Sequence, residues 1–147
     1  MRFRWAALTA VLALILMPQF GQAQGTTQGT AKRPVATLEQ NYPNPFNPET
    51  RFRFAIPCGD DPSQLHKVSI RIYNLLMQLV KVPIIEGGTG GVAGGQALEN
   101  VLLPCGQYTA YWDGMYRNTN QEAASGIYLY ILEDNGQRTV RKMMNSK

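Results

Sequence analysis

Acyl transfer needs a nucleophile, a base to activate it and a group to orient the base. This 147-residue chain has one histidine, His66, to serve as that base. His66 lies in a polar stretch ahead of a strand-like run, has no orienting partner nearby in sequence, and reads as a surface residue. Ser125 follows Ala123-Ala124, so the Gly-x-Ser-x-Gly elbow is absent. The acidic residues are scattered over turn-like segments, which gives no basis for a glycosidase carboxylate pair. The glycine-rich run 87–95 lacks the Lys-Ser/Thr and the helix start of a phosphate cradle, and reads as a mobile loop. Asp113, Asn118, Asn120 and Glu122 supply oxygens that could hold calcium, but not in EF-hand order, and turn chemistry accounts for them. Cys58 and Cys105 with His66 are too few ligands for zinc. The expectation is a protein without catalytic residues, metal or cofactor.

Flat amphipathic rings are the other chemistry on offer. Tyr111, Tyr116, Tyr128 and Tyr130 could bind sugar or protein if exposed together, and Trp112 is either a stacking platform or core.

The elements that must position these groups begin with Met1 to Ala23, which reads as a signal peptide. Arg2 and Arg4 precede the apolar run 6–17, and Gly21-Gln-Ala23 offers small residues for cleavage. That run is too short for a comfortable membrane span, so a soluble exported product is expected. Cleavage would reduce the basic residues from 14 to 12 against 10 acidic ones, and the charge from +4 to +2. Nucleic-acid binding is not indicated. Residues 24–37 are polar and aperiodic, a flexible leader, and 38–147 is one domain's worth of chain. Nothing upstream is large enough to be a folded cargo, so the chain reads as either free-standing or a fragment. In an exported chain, Cys58 and Cys105, each just outside a strand-like run, invite a disulfide.

With 14 glycines and 9 prolines, the composition favours short strands joined by turns over a helical bundle. Phe52, Phe54 and Ile56 alternate with Arg51 and Arg53; Val68, Ile70 and Ile72 alternate with Ser69 and Arg71. Residues 74–78 should be a hairpin connection, where Met77 implies unusual turn geometry or strain, and 79–85 a strand whose Pro83 suggests an edge. Strands are also expected near 108–113, 127–133 and 138–144, the last two joined through Asn135-Gly136, about six or seven in all. Ahead of them, Asn41-Tyr42-Pro43-Asn44-Pro45-Phe46-Asn47-Pro48 admits neither helix nor ladder. Its asparagines should close local turns, while Tyr42 and Phe46 should cover the core's edge.

Leu38 to Thr50, with that motif at its centre, closely resembles the opening of the type A C-terminal sorting domain of type IX secretion cargo. Val68 to Lys81 is similar to that family's central hairpin, and Trp112-Asp113-Gly114, Ala124 to Tyr130 and Arg141-Lys142-Met143 to its closing strands. The resemblance implies an immunoglobulin-like antiparallel β-sandwich related to a domain of the flagellar hook-capping protein. It also implies a non-enzymatic targeting role: passage through the periplasm, recognition by the type IX machinery in the outer membrane, and a final place at the cell surface or in the medium. Gly126, Ile127, Tyr128, Arg141, Lys142 and Met143 would then form the recognised element. Asn145 and Ser146 interrupt the apolar ending usual in relatives, so the last strand should fray early, and deleting 143–147 should cost export but little stability. The alternative is a small secreted adhesion module of the same fold that binds a surface glycan or protein.

Overall fold

The computed structural model describes residues 34–88 and 91–147. The expected signal peptide and most of the leader lie outside the described residues. The described chain is all-β and builds two sheets packed face to face. One has the order β1 (Thr37–Leu38), β2 (Thr50–Ile56), β7 (Gly106–Trp112), β5 (Ile84–Ile85). The other runs β4 (Leu79–Lys81), β3 (His66–Asn74), β8 (Gly126–Asp134), β9 (Gln137–Asn145), with β6 (Val101–Leu103) sharing the β4 side of β3. Every pairing between these strands is antiparallel.

Period-2 patterning places the core where the sequence puts its apolar residues. Thr50, Phe52, Phe54 and Ile56 point inward from β2 while Arg51 and Arg53 face water. Val68, Ile70 and Ile72 do the same from β3. Aromatic contacts bridge the sheets: Phe52 meets Tyr130 at 4.8 Å between ring centroids, and Trp112 meets Tyr128 edge-on at 5.7 Å. Each such ring contributes roughly 2–3 kcal/mol from burial. Trp112 is a core residue, with its indole N–H donating to the Met115 carbonyl.

The described residues form nine strands, more than expected, because residues 79–85 divide and the short β1 precedes the expected start. Residues 79–85 do not form one strand: β4 pairs with β3, the chain crosses at Val82-Pro83, and β5 joins the opposite sheet beside β7. Proline lacks the N–H that a continuous ladder would use there. Residues ahead of 38 also belong to the sandwich, since Ala36 is buried and Thr37 pairs with Ala55.

Both turn expectations are visible. Met77 has φ 58°, and Asn74 stabilises the turn by accepting from the Leu76 and Gln78 amides through Oδ1. That left-handed conformation costs a residue with a Cβ about 1–2 kcal/mol. Asn135 and Gly136 also both have positive φ. The described ends of the glycine-rich segment are fastened rather than loose. Gly95 N donates to Ile85 O, and a Cβ on Gly94 would overlap the Gly87 backbone.

Cys58 and Cys105 form a disulfide just beyond the Ile56–Gly106 pair that ends the β2–β7 ladder. The bond closes a loop with a sequence separation of 47. It is compatible with an extracytoplasmic location, and among the described residues no helix is long and apolar enough to cross a membrane.

Candidate functional site: the lead-in and the terminal strand

The proline-rich lead-in and the last strand, about a hundred residues apart in sequence, form one structure. Phe46 lies fully buried with its ring 5.2 Å from that of Trp112. Its amide donates to Met144 O at 2.9 Å, and its carbonyl accepts from Ser146 N at 3.0 Å. Phe46 thus makes a parallel bridge to Asn145. Two side chains extend the seam: Asn44 Oδ1 accepts from Met144 N, and Gln40 Nε2 donates to Lys142 O. Asn44 therefore ties down the other end of the chain instead of closing the expected local turn. Tyr42, expected against the core, is 80% exposed.

A buried polar network holds the lead-in. Asn41 Nδ2 donates to Pro43 O and Thr50 Oγ1, and the Thr50 hydroxyl donates to Pro43 O. The Tyr130 hydroxyl accepts from Asn41 N and donates to Glu39 O, each at 2.9 Å. The X–Pro bonds before Pro43, Pro45 and Pro48 are all cis, a geometry that proline uniquely tolerates at low cost. Gly114 closes the structure from the far side. Its φ is 77°, and a Cβ there would run into the Pro48 carbonyl. The Trp112-Asp113-Gly114 turn is therefore a fitted surface for the lead-in: Trp112 meets Phe46, Asp113 Oδ1 accepts from Met115 N, and Gly114 leaves room for Pro48.

This seam overturns the expectation of an early fray. β9 continues through Asn145, whose side chain is buried and donates to Ala123 O and Ala124 O. Polar residues at the end of a strand stay ordered when their hydrogen bonds are met inside the fold. Asn145 meets donor needs this way, and Ser146 N is met by Phe46.

The residues expected to form a recognition element divide by face. Ile127 is 45% exposed, and Lys142 also faces solvent. Gly126 opens β8 opposite Asn145. Tyr128 and Met143 lie in the core, with the Tyr128 hydroxyl bonded to Ala124 O, so no partner reaches them without opening the sandwich. Arg141 is committed to the lead-in through Leu38 O.

The tyrosines do not assemble into a common platform. Tyr128 and Tyr130 are buried, and burial raises the pKa of both hydroxyls. Tyr111 lies under Arg51 and donates to Glu49, a bond that raises its own pKa, while Tyr116 lies under Arg117.

His66 does have an orienting carboxylate, which its sequence neighbourhood could not reveal. Nδ1 lies 2.8 Å from Asp134 Oδ1, brought alongside when Val68 pairs with Asp134. The pair borders a cleft of about 410 Å³ between Pro57 and Asn135. Asp60 and Asp61 also line the cleft, and none of its lining residues is a serine, threonine or free cysteine. Of the four oxygen donors considered for calcium, Asp113 is occupied by its turn and Glu122 pairs with Lys147. Among the described residues no cluster of His, Cys, Asp or Glu could hold a metal ion. The chain matches no family model, no curated protein and no solved structure, so the reading of this site rests on its geometry and on the sequence itself.

Proposed function

We propose that this sandwich is a non-enzymatic secretion-targeting module of the type IX sorting kind, in which the folded domain is the signal and β9 is the strand that the outer-membrane machinery reads. The observation that carries the reading is the seam itself. The stretches that resemble the sorting family, the proline-rich opening, the Trp112-Asp113-Gly114 turn and the Arg141-Lys142-Met143 ending, converge on one another. A signal read as a folded shape needs its terminal strand held in a fixed position, and the seam's bonds to Met144 and Lys142 favour that reading. The route would run through the periplasm to the cell surface or medium.

Fusing residues 24–147 behind an exported fluorescent protein in a type IX-competent bacterium tests the proposal. Fluorescence should reach the medium or the surface, and retention in the periplasm refutes it. Lys142→Ala should slow export without unfolding the domain, because the side chain faces solvent. Deleting 143–147 is a poor test. It would remove buried Met143 and the Asn145 anchor and so destabilise the sandwich, contrary to the expectation from sequence. The adhesion alternative is left with Tyr111 and Tyr116, because Tyr128 and Tyr130 are in the core.

A further inference from the structure

The hydrogen bonds of Met144 reveal which β9 groups face away from the sheet. Met144 N donates to Asn44 and Met144 O accepts from Phe46, so neither serves the β8 ladder. The β8–β9 register runs unbroken from Gly126–Asn145 to Asp134–Gln137. In an antiparallel ladder the outward-facing positions recur at every second residue. Lys142, Val140 and Arg138 therefore also direct their N–H and C=O groups outward. Lys142 O is taken by Gln40, but β9 is the last strand of its sheet. That leaves Lys142 N–H and both backbone groups of Val140 and Arg138 unpaired by any strand among the described residues, with β1 passing close alongside β9 near Arg141. The lead-in covers one half of this edge and leaves the other half open.

The side chains of the same three residues lie on the sheet's outer face, with Val140 53% exposed between Lys142 and Arg138, whose guanidinium also pairs at 2.9 Å with Glu133 across the β8–β9 ladder. A second copy of this chain fits poorly. Two β9 strands antiparallel about Val140 would set Arg138 of each against Lys142 of the other, and directly opposed like charges destabilise a strand pair. Charge complementarity favours an acidic strand. We infer that the open half of β9 accepts an extended segment of a partner protein with the pattern acid, any residue, apolar, any residue, acid, adding as a further strand. The acids face Arg138 and Lys142, the apolar residue covers Val140, and backbone bonds form at Val140 and Arg138. The recess lined by Gln40, Asn44, Pro45, Ile127 and Met144 marks where the lead-in takes over the edge, so the added strand stops at Lys142. The identification of the partner as secretion machinery rests on the proposed function; the binding chemistry does not.

The probe is the capped peptide Glu-Thr-Val-Thr-Glu, titrated into the purified protein and followed by NMR and amide exchange, with Lys-Thr-Val-Thr-Lys as the control. The acidic peptide should shift resonances along β9 and slow exchange of the Arg138 and Val140 amides by about tenfold, and the basic peptide should do neither. A variant carrying Arg138→Glu and Lys142→Glu should reverse this preference; both side chains are exposed, and circular dichroism checks that the fold survives loss of the Arg138–Glu133 pair. No protection by the acidic peptide, or an unchanged preference in the reversed variant, overturns the inference. Export of the reversed variant distinguishes the two claims. Wild-type export despite lost peptide binding overturns the acidic strand as the export partner and leaves the secretion reading standing. Periplasmic retention of the unmodified fusion overturns the secretion reading and leaves the peptide site standing.

Discussion

Tyr130→Phe removes one oxygen atom from the centre of the structure. The ring would keep its place 4.8 Å from Phe52, so the core loses little packing. What goes is the hydroxyl that accepts from Asn41 N and donates to Glu39 O. A made hydrogen bond contributes about 1 kcal/mol net, and a buried group left unpaired costs about 1–3 kcal/mol. Asn41 is 2% exposed, so water cannot replace the hydroxyl at its amide without a local opening. The loss should come to about 2–4 kcal/mol, a large share of the roughly 5–15 kcal/mol typical of a domain. Tyr108→Phe is the internal control: that hydroxyl makes one bond, to Pro104 O in a nearby loop, and its removal should cost about 1 kcal/mol. Urea unfolding followed by tryptophan fluorescence would show a lower midpoint at unchanged slope for Tyr130→Phe, and amide exchange would show the Met144 and Ser146 amides opening with the lead-in. A loss no greater than that of Tyr108→Phe would refute the claim that this hydroxyl fastens the lead-in.

Replacing both Cys58 and Cys105 with serine should lower stability by about 4 kcal/mol, the loop-closure value for a separation of 47, as measured by urea unfolding against the oxidised protein. Gly114→Ala must combine a positive φ with overlap onto the Pro48 carbonyl, and should cost about 2–5 kcal/mol in a thermal melt; a loss under about 1 kcal/mol would show that the turn and the lead-in are not fitted to each other. Burial raises the hydroxyl pKa of Tyr108, Tyr128 and Tyr130 above 10.0, opposed at Tyr130 by the Asn41 hydrogen bond and the Arg141 charge. Because the unfolded chain gives up these protons first, their contribution should be fully present below about pH 10 and decline as pH rises through the raised values, which urea midpoints across alkaline pH would check. Lys142→Ala should leave the melting temperature nearly unchanged while slowing export, as measured by secretion of the fluorescent fusion.

Period-2 alternation made β2, β3 and the inward side of β8 legible, because a strand with one face in a core must alternate whatever its neighbours are. The disulfide was legible from two cysteines in a chain with an apparent export signal, and the β8–β9 turn from Asn135-Gly136, since both follow from local chemistry. The split of residues 79–85 was less clear, because Pro83 signals an interruption of pairing without saying that the chain changes sheets there. His66 was misread for a related reason: its partner Asp134 is 68 residues away and adjacent only through strand register. The same limit hid the seam. Asn145 and Ser146 look like a fraying tail to any rule that scores residues by polarity, and only the packed structure places Ala123, Ala124 and Phe46 where the Asn145 side-chain N–H groups and Ser146 N find acceptors. Sequence alone determined the alternation, the turns and the stiffness of the proline-rich opening, which are properties of residues and their immediate neighbours. Tertiary structure decided that this opening closes over the last strand and leaves half of its edge exposed, because contacts between residues about a hundred positions apart exist only once both sheets have formed.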